Sequence, residues 1–268
     1  MNIPYIREQW VNQMNVDSSA SISAWDSVAE DYVYDGSVTL ENNSFLQFMQ
    51  SKIKLSADMG VLDVGCGAGA YSLALSSKVN KVVGVDFSPK MIEAAKRSAC
   101  QIGVTNAEFL ERDWYNCDGN EFKGQFDIVF AHTTPAIIDY ATFMKMMNAS
   151  KKYCLFCKPA RRTDEVFDQL RNLLGMEKLM HDESIAYTFD TIWAHGYNPE
   201  ISYEKTVWRS SKNLDDAKVW YLGRLKGSGA LSAGQEELVC RHLDNISENG
   251  KVTETTHTTL VNLFWEMN

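Results

Sequence analysis

From residue 60 to about 157, short apolar runs alternate with stretches of helical spacing. The runs fall at 61–64, 81–85, 107–110, 126–131 and 153–156. Each has strand length, and β-branched or aromatic residues are common in them. After the second run, Ser88-Pro89 offers an N-cap and a proline at the first helical position. Met91, Ile92, Ala95, Ala99 and Ile102 then share one apolar stripe, and Gly103 stops it. Strand–helix alternation of this kind predicts βαβ units and a parallel sheet. Before residue 58, Trp25, Val28, Ala29 and Tyr32 recur at helical spacing, Asp35-Gly36 marks a turn, and Phe45, Leu46, Phe48 and Met49 open another helix. After 160, Thr163 is placed to cap a helix with Val166, Phe167, Leu170, Leu173 and Leu174 on one face. Residues 176–200 have no clear period. A strand at 201–208, helices at 214–225 and 235–246, and a final strand at 251–267 complete the pattern. The expected organisation is an N-terminal helical cap over 1–57 and an α/β domain over 58–268, with an insertion at about 176–200.

Composition supports a packed globular core. The chain has 268 residues, 45% hydrophobic and 23% charged. Its net charge is −9 and its pI is near 5.1. A surface that acidic repels phosphate backbones and anionic lipid, so no nucleic acid and no membrane is expected as a partner. Residues 1–10 lack the basic start and apolar centre of a signal peptide, and no apolar run is long enough to span a bilayer. A cytoplasmic location is therefore expected. Cysteines stand at 66, 100, 117, 154, 157 and 240, and in such a chain they are expected reduced and buried. Cys154 and Cys157 form one C-x-x-C, with no second ligand pair to complete a zinc set, so no metal is expected.

The strongest chemical signal is Asp63-Val64-Gly65-Cys66-Gly67-Ala68-Gly69, which follows a strand and opens a helix. Glycines let a backbone turn sharply and approach a ligand at a helix N-terminus. Gly65, Gly67 and Ala70 also satisfy the degenerate dinucleotide fingerprint. Asp63, however, puts a carboxylate beside the loop, which suits a cationic ligand and opposes a pyrophosphate. Asp86 ends the second run, 21 residues after Gly65, where a carboxylate can accept ribose hydroxyls. Asp113-Trp114 follows the third run. An acid there can accept the adenine amino group, and the indole can pack on the ring.

Together with Val85-Asp86-Phe87-Ser88 and Phe126-Asp127-Ile128-Val129-Phe130, these motifs resemble the class I S-adenosylmethionine-dependent methyltransferases over about residues 58–157. The resemblance implies a Rossmann-like, seven-stranded, mostly parallel sheet with helices on both faces and a reversed last strand. N-terminal helices and a small insertion before strand six would be added to it. It implies that Gly65, Gly67 and Gly69 line the methionine part of S-adenosylmethionine, with Asp63 and Cys66 in the same loop. Asp86 would hold the ribose, while Asp113 and Trp114 frame the adenine. Phe87 and Met91 would lie along the cofactor. Trp25-Asp26-Ser27-Val28-Ala29-Glu30-Asp31-Tyr32 resembles the helix that many small-molecule members place over it, with Trp25 and Tyr32 closing the pocket. The implied product is S-adenosylhomocysteine.

The methyl acceptor is expected to be a small molecule. His132, ending the fourth run, emerges where the methyl group would stand and is a candidate base or cofactor contact. Within Trp193-Ala194-His195-Gly196-Tyr197, His195 and Tyr197 are candidates for the acceptor site. Arg161-Arg162 could bind an acceptor carboxylate, although exposed basic pairs are usually solvated. Two rival classes stay open at this point. One is a regulatory module that binds the cofactor or its product without turnover. The other is a NAD(P)-dependent oxidoreductase, which shares the glycine turn and the ribose acid.

Overall fold

The computed structural model describes residues 2–11, 18–177, 182–227 and 229–267. Its centre is one seven-stranded sheet. The strands are β1 Gly60–Val64, β2 Lys81–Asp86, β3 Ala107–Glu111, β4 Phe126–His132, β5 Ser150–Asp164, β6 Glu200–Asn213 and β7 Lys251–Glu266. Their spatial order is β3-β2-β1-β4-β5-β7-β6. The pairs β1–β2, β1–β4, β2–β3 and β4–β5 are parallel, while β7 runs antiparallel to both neighbours. The central strands β1 and β4 are buried along nearly their whole length, as a sheet covered on both faces requires. Strand order reverses between β1 and β4, which opens a crevice at their carboxyl ends.

Helices α1 Ile3–Gln9, α6 Tyr140–Ala149 and α8 Glu183–Ala194 cover one face. Trp10, Phe143, Phe156, Ile192 and Trp265 form its core. Helices α3 Ser44–Lys52 and α4 Ala70–Ser76 cover the other, where Phe45, Leu46 and Leu75 meet Val61, Phe130 and Leu155. Helix α5 Pro89–Ile102 packs Ile92 and Ala95 with Phe109 of β3. It begins and ends as the sequence suggests. The Ser88 hydroxyl oxygen accepts from the Met91 amide at 3.1 Å, and Gly103 closes it at φ +74°.

The N-terminal 57 residues do not form one cap. α1 lies on the α6–α8 face and α3 on the opposite one. Between them, α2 Ser18–Ser27 and a 3-10 helix Ala29–Tyr32 sit over the glycine loop; residues 1 and 12–17 of that cap lie outside the described residues. The stretch 176–200 contains α8, although the sequence has no clear period there, and its residues 178–181 are outside the described set. The buried positions of α8 include Ser184, Thr188 and Thr191. Thr188 and Thr191 donate back to the carbonyls of Ser184 and Tyr187 at 2.7 Å each, so these hydroxyls can be buried without an outside partner. The helix expected after Thr163 starts at Glu165, with Asp164 in the capping position. β5 extends past its apolar run to Asp164, through a register shift at Arg161, whose φ is +51°.

The long ends of β5, β6 and β7 carry α7 Glu165–Leu173, α9 Leu214–Lys226 and α10 Ala233–Ile246. These enclose a separate core of Phe167, Leu170, Tyr221, Leu225, Val239 and Leu243. Glu254 of β7 joins the parts. Its buried carboxylate accepts from the Val166 amide at 2.7 Å, the Phe167 amide at 3.3 Å and the Tyr221 hydroxyl at 2.8 Å. Among the described residues, no helix is long and apolar enough to cross a membrane. Replacing Glu254 by Ala strands three buried donors. The expected loss is about 3 kcal/mol in urea unfolding, and a loss below about 1 kcal/mol would show that water replaces the carboxylate.

Candidate active site

The glycine loop is pinned to β2. Amides of Gly65 and Cys66 both donate to the Val85 carbonyl, at 2.8 and 3.0 Å. Asp86 then accepts the Gly67 amide on Oδ2 and the Ser88 amide on Oδ1, each at 2.9 Å. A Cβ on Gly65, whose φ is +71°, would stand 1.9 Å from Oγ1 of Thr134, so no other residue fits this turn. Cys66 fills space over the sheet: a Cβ on Gly84 would meet its sulfur at 2.9 Å. Behind the loop, the carboxylate of Asp63 is buried and accepts from Ser72 Oγ at 2.7 Å. Burial pushes its pKa up to about 7 against the opposing Ser72 hydrogen bond, with the nearby Asp86 charge adding to the rise.

Asp113 shapes the turn after β3. It accepts from the Tyr115 amide at 3.0 Å and from Asn116 Nδ2 at 2.6 Å. Its neighbour Trp114 turns inward instead. The indole donates to the Thr142 carbonyl at 3.1 Å and packs against Phe122, so it is a core residue beneath α6 rather than an adenine plate. Phe87 is half-buried beside Asp86. Met91 is buried under the loop, with Val28, Ala29 and Ala68 around it. Asp26 of α2 accepts from Ser88 Oγ at 2.5 Å, which ties the covering helix to the start of α5; within its sequence motif nothing singles Asp26 out for this role. Trp25 stands edge-on to Tyr32 (centroids 6.0 Å) and to Trp220 of α9 (5.8 Å). Thus α2 and α9 meet as a roof over the carboxyl ends of the strands. Tyr32 is half-exposed at its edge.

His132 ends β4 on the α3–α4 face. Its ring lies 4.3 Å from the Tyr71 ring and 4.6 Å from that of Phe45. Nε2 is 3.4 Å from the Tyr71 hydroxyl, and Nδ1 is 3.2 Å from Thr133 Oγ1. Desolvation pulls its pKa down to about 3, so the imidazole is neutral near pH 7. Strand register extends this position into a polar row, His132–Cys157–Asn262–Ser202. Asn262 is buried, and its Oδ1 has no partner among the described residues. Tyr71 could have been found from its place two residues after Gly69; Asn262 depends on pairing across 105 residues of sequence from Cys157 and had no local signal.

His195 and Tyr197 are not brought to this row. His195 ends α8 with Nε2 3.3 Å from the Tyr140 hydroxyl, and Tyr197 packs on the α6–α8 core, across the sheet from His132. All six cysteines are free, and Cys100 is exposed rather than buried. Cys154 and Cys157 face opposite sides of β5 and cannot hold one ion together. An open groove of about 470 Å³, lined by Gly60, Lys81, Asp127 and Lys151, lies at the amino ends of the strands, far from this arrangement.

The strand order, the reversed β7 and the pinned loop with acids at the ends of β1, β2 and β3 define a class I, S-adenosylmethionine-dependent methyltransferase fold. Residues 55–220 match the family model described as a methyltransferase domain, which is more than half of the chain, and the chain belongs to that family. The oxidoreductase alternative is thereby set aside. A candidate methyltransferase from Bacillus halodurans C-125 has the same fold, with a TM-score of 0.51 at 15% identity over 83% of this chain and 98% of that one. An uncharacterized RNA methyltransferase of Bacillus cereus is 48% identical over 56 residues, 21% of this chain and 12% of that protein. A release factor glutamine methyltransferase of Vibrio cholerae is 36% identical over 69 residues, 24% of each. The chain thus spans less than a quarter of the length of these curated relatives. Similarity to RNA methyltransferases overturns the expectation that nucleic acid is excluded as a partner. Net charge describes the whole surface and carries no information about the acceptor of a shared cofactor core.

The donor set fits the cofactor. Each oxygen of Asp86 accepts one amide and keeps a free lone pair for a ribose hydroxyl, and the loop has no side chain to block close approach. Asp63 generates a prediction of its own. Its folded pKa of about 7 exceeds the ordinary aspartate value of 3.8, so from about pH 4 to 7 the folded state holds a proton that the unfolded state has lost. Stability therefore falls as pH rises through that window. Asp63→Asn should be more stable than the parent at pH 8, by a margin that shrinks toward pH 4. Urea unfolding across that range checks it, and a margin independent of pH would refute it.

Proposed function

We propose that this chain transfers a methyl group from S-adenosylmethionine to a small organic acceptor held beneath the α2–α9 roof. The observation that supports the small acceptor is that roof: Trp25 meets Trp220, and a Cβ on Gly223 of α9 would stand 3.3 Å from Ala24. An acceptor must fit between this cover and the row beginning at His132. When bound, the cofactor supplies an already activated methyl group on a sulfonium centre. Positioning and water exclusion are then the main tasks of the protein.

In this reading Gly65, Gly67 and Gly69 give the backbone its close approach, with Cys66 as filler. Asp86 accepts the ribose hydroxyls and Asp113 the adenine amino group. Phe87 and Met91 supply apolar walls, while Trp25 and Tyr32 cover the site. Asp63, once ionised, faces the positive charge of the donor and loses part of that attraction when the sulfonium becomes a neutral thioether. His132 is neutral but, with a pKa of about 3, a weak proton acceptor. It serves better to orient the acceptor through a ring nitrogen than to deprotonate it, which favours acceptors that attack without a strong base.

A screen for S-adenosylhomocysteine release by coupled homocysteine detection, with organic acceptors in one arm and RNA in the other, tests the proposal. Turnover is expected in the first arm; turnover confined to RNA would refute a small acceptor, and release in neither would favour a cofactor-binding module. Asp86→Ala should weaken cofactor binding roughly a hundredfold, since two charge-assisted hydrogen bonds are lost. His132→Ala should lower turnover at least tenfold more than cofactor affinity; equal losses would make it a cofactor contact.

A further inference from the structure

Past the polar row, the α3–α4 side of β5 and β6 becomes basic and aromatic. Arg162 donates to Asp164 through Nε and Nη2 at 2.8–3.0 Å and lies 5.5 Å from the centroid of Trp208. Arg224 of α9 stacks 3.8 Å over Phe167 and 5.7 Å from Trp220. Its side chain is only 23% exposed, yet its guanidinium makes no hydrogen bond to any described residue. The nearest carboxylate oxygen is Asp164 Oδ2 at 3.8 Å. Asp164 is already engaged by Arg162 and by Thr256 Oγ1 at 2.6 Å. Glu254 is filled by two amides and Tyr221. Lys212 is paired with Asp31 at 2.7 Å. The nitrogens of Arg224 are not among the fully buried atoms left without a partner, so they stay open to solvent or a ligand, and a stacked guanidinium presents them as a rigid fork.

This fork stands on α9, the helix that meets α2 through Trp220. Arg162 and Arg224 both act on the Tyr32 phenol, opposing the rise in pKa that burial causes there. Tyr32 in turn touches Trp25, which touches Trp220 on the helix that carries Arg224. Asp164 and Glu254 lie close to Arg224 and oppose the second charge of a dianion. A monoanion with two coplanar oxygens matches the guanidinium edge.

We propose that Arg224, with Arg162 beside it, receives a carboxylate of the methyl acceptor, so that the acceptor is an organic acid. The proposal deepens the reading above and rests on it for the identity of the roofed space. The test uses the full chain, with and without S-adenosylhomocysteine. It is titrated with a panel of aromatic and aliphatic carboxylic acids, their primary amides, and phenyl phosphate, followed by calorimetry. Acids should bind at least tenfold more tightly than their amides and than phenyl phosphate. Arg224→Gln should abolish that preference, Arg224→Lys should keep part of it, and both should bind S-adenosylhomocysteine as the parent does. Three results would overturn the proposal: no acid outbinding its amide, an unchanged preference in Arg224→Gln, or a parallel loss of S-adenosylhomocysteine affinity, which would assign the site to the cofactor's own carboxylate. If Arg224→Gln does not fold, Arg224→Lys and the acid–amide comparison on the parent decide. Failure of the parent to bind S-adenosylhomocysteine would sink the methyltransferase reading, while the titrations without it still judge Arg224.

Discussion

The hydrogen bond from the Gly67 amide to Asp86 is the constraint on which the site depends. It joins the loop after β1 to the end of β2, and the paired amides of Gly65 and Cys66 on Val85 add two further ties. The loop is therefore held by backbone donors and one carboxylate, with no side chain of its own in the way. A bare turn would be mobile without such ties, because glycine has the largest conformational freedom to lose. Held in place, it presents a fixed surface to a ligand. The same carboxylate takes the Ser88 amide, and Ser88 links through Asp26 to the covering helix. One acid thus couples the floor of the crevice to its cover.

What the sequence made legible was what is local. β1 to β4, the cap at Ser88, the stop at Gly103 and the acids at 63, 86 and 113 all declare themselves within a few residues. What escaped was built from distant pieces or from residues with two readings. α8 leaves no apolar period in the sequence because small hydroxyl residues share its buried face and satisfy their own hydrogen bonds within the helix. Trp114 has two readings in the sequence, since an indole can pack on adenine or in a core, and only the carbonyl of Thr142 decides between them. The meeting of α2 with α9 unites segments almost 200 residues apart in sequence, and no pattern along the chain reports it. Net charge misled on nucleic acid because it is a sum over the molecule.

These two kinds of feature divide the molecule by task. The legible half is the cofactor platform, common to relatives that methylate different things. The less legible half, the long ends of β5, β6 and β7 with α7, α9 and α10, has its own small core. It is anchored by Glu254 and leans back over the platform through Trp220. Residues on such an added unit can change without disturbing the loop and its ties. Acceptor choice is accordingly expected to reside there, on the platform's cover.

Charge explains why the two halves must act together. Asp63 and His132 are both neutral at about pH 6, the first because burial holds its proton and the second because burial denies it one. Before ligands bind, neither of these two side chains adds a charge beside Asp86, which limits the cost of burying them. A cationic donor reverses the balance at Asp63 by favouring its carboxylate, whereas a bound acid would be matched at Arg224, on the other side of the roof. On the proposed reading, donor and acceptor would be held by separate charges, at Asp63 and at Arg224, while the imidazole of His132 stays neutral. That arrangement lets each ligand be attracted strongly without placing a fixed charge beside the carbon being transferred, where it would favour one partner of the displacement over the other.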